Sequence, residues 1–160
     1  MDADFASYAW GNEQRIEKLT GQPFRQAYLE NVLQGQGEFN SANSLLALTA
    51  VQQIAPEQEL AVLSALQTAR YVDGLDNADF AVVEQVLHKL NLSQAVSLLS
   101  KQSTQTALAQ RLQFGQQLAH HCGVQGVPQL IVEKDERLHI VPSQLLYGAG
   151  VSLVDYVRRL

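Results

Sequence analysis

Most of the reactive side-chain types of this 160-residue chain gather in one stretch, His120-His121-Cys122-Gly123-Val124-Gln125-Gly126-Val127-Pro128. Cys122 is the sole cysteine. A thiolate can attack a disulfide, but a second thiol is needed to resolve the mixed disulfide, so one cysteine cannot complete a dithiol cycle. Imidazole and thiolate also bind zinc. Adjacent helical residues point in different directions, however, and no Cys-x-x-Cys or His-x-x-x-His spacing completes a ligand set. The sequence therefore predicts no metal centre and no catalytic residue. It reads Cys122 as a structural thiol on the apolar face of a helix, near a C-terminus whose dipole disfavours a thiolate.

Val127-Pro128 offers geometry instead of reactivity. A proline that opens a strand tolerates its missing N–H, and X-Pro is the only common peptide at which the cis form costs little. Gly123 and Gly126 give the chain freedom on the approach, and Leu130, Ile131 and Val132 read as a short buried strand. The stretch predicts a rigid loop at the edge of a small apolar sheet. Elsewhere His88 and His139 read as surface or strand residues. Asp73, Asp76 and Asp79 lack the glycine and terminal glutamate of a calcium loop and read as turn and cap residues. Gly148-Ala149-Gly150 lacks the strand-turn-helix setting of a dinucleotide site. No cofactor is expected.

The elements that must hold this loop are mostly helical. Phe5, Tyr8, Ala9, Ile16 and Leu19 recur at helical spacing, Gly21-Gln22-Pro23 interrupts, and Phe24, Tyr28, Leu29, Val32 and Leu33 resume. After Gly35-Gln36-Gly37, Asn40 or Ser41 is placed to cap a helix carrying Leu45, Leu46, Leu48, Thr49 and Ile54. Pro56 suits the first position of the next helix, whose buried side is predicted to carry Leu60, Leu63, Leu66 and Ala69. Asp76 and Asn77 are the cap candidates for a helix bearing Val82, Val83, Val86, Leu87 and Leu90. Ser93 starts a short helix. Ser103 or Thr104 is expected to cap a longer one with a continuous stripe over Leu108, Leu112, Gly115, Leu118, Ala119 and Cys122. The period then changes: Leu130 to Val132 and Leu138 to Val141 are apolar runs flanking Lys134-Asp135-Glu136-Arg137, an antiparallel hairpin. Val151, Leu153, Val154, Val157 and Leu160 predict a terminal helix capped near Ser152.

A chain of this length suits one domain, which would bury about 70% of its unfolded surface without disulfides. The net charge of −5 and the scattered eleven Lys and Arg residues oppose phosphate binding, so no nucleic acid is expected. No apolar stretch is long enough to span a membrane. The residues after Met1 are acidic and polar, unlike a secretory signal, which predicts a cytoplasmic protein.

Gly123-Val124-Gln125-Gly126-Val127-Pro128 resembles the cis-proline loop of the DsbA-like thioredoxin-fold thiol-disulfide oxidoreductases, a family that includes disulfide isomerases and relatives of 2-hydroxychromene-2-carboxylate isomerase. Ala65 to Gly74, Asp76 and Val83-Glu84-Gln85-Val86-Leu87 look like the family's helical insertion. The resemblance implies a predominantly helical α/β protein: a helical insertion over residues 1–122 and the C-terminal half of a thioredoxin fold over 123–160, with a hairpin and a terminal helix. It also implies that Val127 and Pro128 contact a protein or peptide substrate. The family's chemistry resides in a Cys-x-x-Cys motif that this sequence lacks, so the chain is expected to be redox-inactive by itself. The alternative is a non-enzymatic binding module. In relatives the strand after the proline pairs with the strand leading to that motif; with this partner missing, the open sheet edge predicts self-association.

Overall fold

The computed structural model describes residues 3–147 and 152–160. Its helices are α1 (Ala3–Thr20), α2 (Gln26–Tyr28), α3 (Ala42–Ile54), α4 (Glu59–Tyr71), α5 (Phe80–Lys89), α6 (Ser93–Leu99) and α7 (Gln102–His121). Strands β1 (Ile131–Lys134) and β2 (Arg137–Ile140) come next, a 3-10 turn spans Ser143–Tyr147, and α8 (Leu153–Arg159) ends the chain. Gly148-Ala149-Gly150 and Val151, like Met1 and Asp2, lie outside the described residues. Among those described, no helix is long and apolar enough to cross a membrane.

Four helices make the main core. Ala47, Ala50 and Val51 of α3, Val62 and Leu66 of α4, Val83 and Leu87 of α5, and Ala95 and Leu99 of α6 are buried together. The alanines on α3 keep that helix thin enough for α4, α5, α6 and α7 to pack around it. A second cluster joins Ala6 of α1 to Phe24, Tyr28, Val32 and Leu33. Here α2 widens into a π-helical turn over Leu29–Leu33, closed by the Gln34 N–H on the Leu29 carbonyl at 2.9 Å. The periodicity that predicts a helix does not distinguish this wider turn. Gly74, at φ +67°, is the link from α4 to the next turn. A Cβ there would stand 2.6 Å from the Ala27 backbone, so only glycine fits.

Several expected caps and faces lie elsewhere. Asn40 supplies the polar contact at the start of α3, its Oδ1 accepting from the Ala42 N–H at 3.1 Å. Asp79, not Asp76 or Asn77, caps α5, accepting from the Ala81 N–H at 2.9 Å. Asp76 shapes the turn before it by accepting from the Ala78 N–H, and Asn77 is buried, its Nδ2 donating to the Leu66 carbonyl. Lys101 precedes α7, so Ser103 and Thr104 fall inside the helix. On α1 the larger Phe5, Tyr8 and Leu19 are exposed while the small Ala6 is buried, which lets α1 approach the π-helical turn closely. On α4 the buried row is Val62, Leu66, Ala69 and Arg70, and Leu60 is on the opposite, solvent side.

The stripe on α7 is also covered only in part. The helix is 20 residues long and the α3 against which it packs is 13, so α7 outruns its partner. Arg111 fixes the junction through an ion pair with Glu59 and a hydrogen bond to Thr49 Oγ1. Beyond it Leu112 and Gly115 are exposed, and Leu118, Ala119 and Cys122 are half-buried.

The hairpin pairs Ile131 with Ile140, Val132 with His139, Glu133 with Leu138 and Lys134 with Arg137. Asp135 and Glu136 turn it with φ of 51° and 60°, the two positive values of a type I′ connection. Ile131, Ile140 and Leu138 share one face, and of these Leu138 and Ile140 are exposed. Val141, just past β2, is the only fully buried residue among the described part of the chain after α7. Apolar burial thus concentrates in the helices. Leu87→Ala should cost about 2–5 kcal/mol in urea denaturation, whereas Ile140→Ala should change stability by roughly 0.5 kcal/mol or less.

Beneath the second cluster Tyr28 Oη donates to Glu13 Oε1 at 2.8 Å, while Glu13 Oε2 is buried without a hydrogen-bond partner among the described residues. Burial raises the Glu13 pKa above its usual 4.5, opposed by the Tyr28 hydrogen bond and the charge of Arg70. Burial also pushes the Tyr28 and Tyr71 hydroxyls upward. A carboxyl whose pKa is higher in the folded state binds more protons there, so its contribution falls as pH rises from 4.5 through the folded value. The wild type should lose stability over that window relative to Glu13→Gln, with the two curves parallel at higher pH, as measured by denaturant melts across pH 4 to about 8.

Candidate functional site

The loop between α7 and β1 is built by the way α7 stops. His121 is the last helical residue, Cys122 follows it as the C-cap, and Gly123 turns the chain with φ +64°. The Gly123 N–H bonds the His120 carbonyl at 3.1 Å and the Val124 N–H bonds that of Ala119 at 2.9 Å, which closes the helix with a left-handed glycine. The chain then passes through Gln125 and Gly126 to Val127, and the Val127–Pro128 peptide is cis.

Gln129 ties the far side of the loop to the sheet. Its Nε2 donates to the Leu130 carbonyl at 3.0 Å and the Val141 carbonyl at 2.8 Å, while the Val141 N–H bonds the Leu130 carbonyl at 3.0 Å. The loop exit and the end of β2 are thereby held together. Sequence reasoning assigns Gln129 no role, because a glutamine beside a proline carries no pattern.

Val127 is held out. Its side chain is 94% exposed, and among the described residues neither its N–H nor its carbonyl has a hydrogen-bond partner. A cavity of about 440 Å³ lies beneath it, lined by Cys122, Val127, Pro128, Ile140, Ser143 and Tyr147. The structure thus brings Val127, Pro128 and Cys122 to one concavity. Cys122 is half-buried against the loop, and not enclosed in a core as its apolar stripe predicts. Helix spacing places it on a face but does not reveal that the loop doubles back beside it.

The remaining candidates are elsewhere. His120 and His121 are exposed, His88 meets Ser93 Oγ through Nδ1 at 2.9 Å, and His139 is half-buried in β2. Among the described residues no three His, Cys, Asp or Glu side chains are grouped to hold a metal. The sheet has two strands, so β1 has one edge without a neighbour in the described structure.

No protein-family model and no curated protein sequence matches the chain. Solved structures do. The cytosolic disulfide reductase DsbM from Pseudomonas aeruginosa superimposes with a TM-score of 0.83 at 24% identity, over 99% of this chain and 78% of that one. The fold is DsbA-like. A second DsbM structure, solved with GSH, gives a TM-score of 0.76 at 24% identity over 93% of this chain and 74% of that one. A candidate protein disulfide isomerase from Nitrosomonas europaea gives 0.76 at 20% identity over 99% and 72%. The helical body and the hairpin with its terminal helix therefore form the DsbA-like thioredoxin-fold arrangement that the proline loop and helical insertion suggest.

Proposed function

We propose that this chain is a member or fragment of the DsbA-like thiol-disulfide oxidoreductases and isomerases that docks substrate in the cytoplasm, with Val127 and Pro128 as its contact positions for an extended peptide. The observation that carries this reading is the unpaired, outward backbone of Val127 above the loop cavity. An extended peptide laid beside it can accept from the Val127 N–H and donate to its carbonyl, as in strand addition, with one of its side chains entering the cavity. The cytosolic reductase among the structural neighbours supports both the activity class and the compartment.

Electron transfer is a separate matter. With Cys122 the one cysteine of the sequence, the chain has no second thiol to release a mixed disulfide. Dithiol turnover would need a thiol from another molecule or segment. By itself the chain binds and does not cycle.

A second reading, self-association, is favoured by the hairpin: its free edge and the exposed Leu130, Leu138 and Ile140 are suited to pairing with another copy. Sedimentation across a dilution series separates the two, because a strict monomer at all concentrations removes the second reading and leaves the first.

The docking test is fluorescence anisotropy with a labelled, reduced, unstructured apolar peptide. Val127→Pro, which deletes the N–H, should weaken binding about tenfold or more, as expected for a lost hydrogen bond that leaves its partner unsatisfied, and Val127→Ala should retain it. Equal affinity for all three proteins would remove the docking role. Insulin reduction by the chain alone should not exceed the thiol background, and turnover like that of a dithiol enzyme would refute the redox assignment.

A further inference from the structure

A second cavity, of about 320 Å³, opens between α3 and α4, within the helical body. Leu45, Leu48 and Leu63 give it apolar walls, Ser44 and Phe39 line it too, and Arg70 adds the one cationic group among its lining residues. Arg70 is only 8% exposed. Its guanidinium is stacked 4.5 Å from the centroid of the Phe39 ring and 5.9 Å from that of Tyr28. It forms an ion pair with Asp76 Oδ1 at 3.7 Å, a distance too long for a hydrogen bond. Among the described residues the five guanidinium N–H groups have no hydrogen-bond acceptor.

Two carboxylates lie near enough to act on Arg70 by charge, Asp76 and Glu13, and neither accepts a hydrogen bond from it. Asp76 Oδ1 accepts from the Ala78 N–H. Glu13 Oε1 accepts from Tyr28 Oη. The guanidinium is thus neutralised in part by Asp76 while its hydrogen-bond donors stay unmatched among the described residues. A buried arginine is stable when its donors are matched, and its fork is shaped for the two oxygens of a carboxylate. The rings that flank the guanidinium hold it in place before any such group arrives.

We infer that the α3–α4 cavity is a binding site for a small carboxylate with an apolar body, whose carboxylate oxygens accept from the Arg70 guanidinium while its body lies on Leu45, Leu48 and Leu63. The volume equals that of roughly ten water molecules, which suits a medium-chain aliphatic acid. The site is separate from the proline loop and does not depend on the docking proposal.

The probe is octanoate, titrated into the full chain by isothermal calorimetry at neutral pH, with 1-octanol as the uncharged control. Saturable octanoate binding is expected, with octanol at least tenfold weaker. Arg70→Gln should weaken octanoate at least tenfold. Because Arg70 also stacks on two rings, Ser44→Trp provides an arm that leaves it intact: the indole fills the cavity, and binding should be lost while circular dichroism is unchanged. Glutathione should not compete. Absence of saturable binding to the wild type, equal affinity for octanol, undiminished binding to Ser44→Trp, or displacement of octanoate by glutathione would each overturn the assignment.

Discussion

Burial is unevenly shared between the helices and the hairpin, and the rest of the molecule follows from that imbalance. Helices α3 to α6 enclose Val51, Val62, Leu66, Val83, Leu87 and Leu99 from several sides at once. Each such side chain contributes about 1.5–3 kcal/mol when removed from water. Two strands cannot do the same for each other, because backbone pairing leaves both faces of the ribbon to be covered by something else. Here only Val141 is enclosed, and Leu130, Leu138 and Ile140 stay accessible. The stable part of the fold therefore supports the loop, and the apolar, unpaired part is where the loop opens.

α7 transmits that support. Arg111 anchors it to α4 through Glu59 and to α3 through Thr49, and its excess length over α3 carries the loop away from the core. At its end Gly123 reverses the chain, Gln129 fixes the exit to the end of β2, and Val127 is left projecting between the two fixed points. The local chemistry is that of a peptide backbone held rigid and open, with one thiol at the side of the concavity. This arrangement suits recognition of an extended chain better than bond-making.

Much of this is written locally in the sequence. Apolar spacing locates the helices because each needs only one buried row, and the switch to alternation after Pro128 locates the hairpin. Pro128 and Gly123 mark the loop, the glycine because few other residues adopt its φ of +64°. What the sequence conceals is set by neighbours. Asp76 and Asn77 are the caps the local pattern offers for α5, but Asp76 shapes the preceding turn and Asn77 is buried with its Nδ2 on the Leu66 carbonyl, which leaves Asp79 to cap the helix. Leu60 satisfies helical periodicity yet misses the core, because the row that packs is Val62, Leu66, Ala69 and Arg70, on the opposite side of α4. Cys122 has the right spacing for a buried stripe, but among the described residues only the loop and the turn at Ser143–Tyr147 lie beside that end of α7, which leaves the thiol half-buried. Arg70 and Gln129, which hold the two cavities in shape, carry no motif at all.

Amide hydrogen exchange, followed residue by residue with and without an unstructured apolar peptide, tests directly whether a stable helical body supports an incompletely paired recognition ribbon. Exchange should be slowest in residues 47–51, 62–69 and 83–99 and much faster in residues 130–141, with slowing confined to Val127 and β1 when peptide is added. Hairpin protection equal to that of the helices in the isolated chain, or no slowing at Val127 and β1 with peptide bound, would contradict this division of labour.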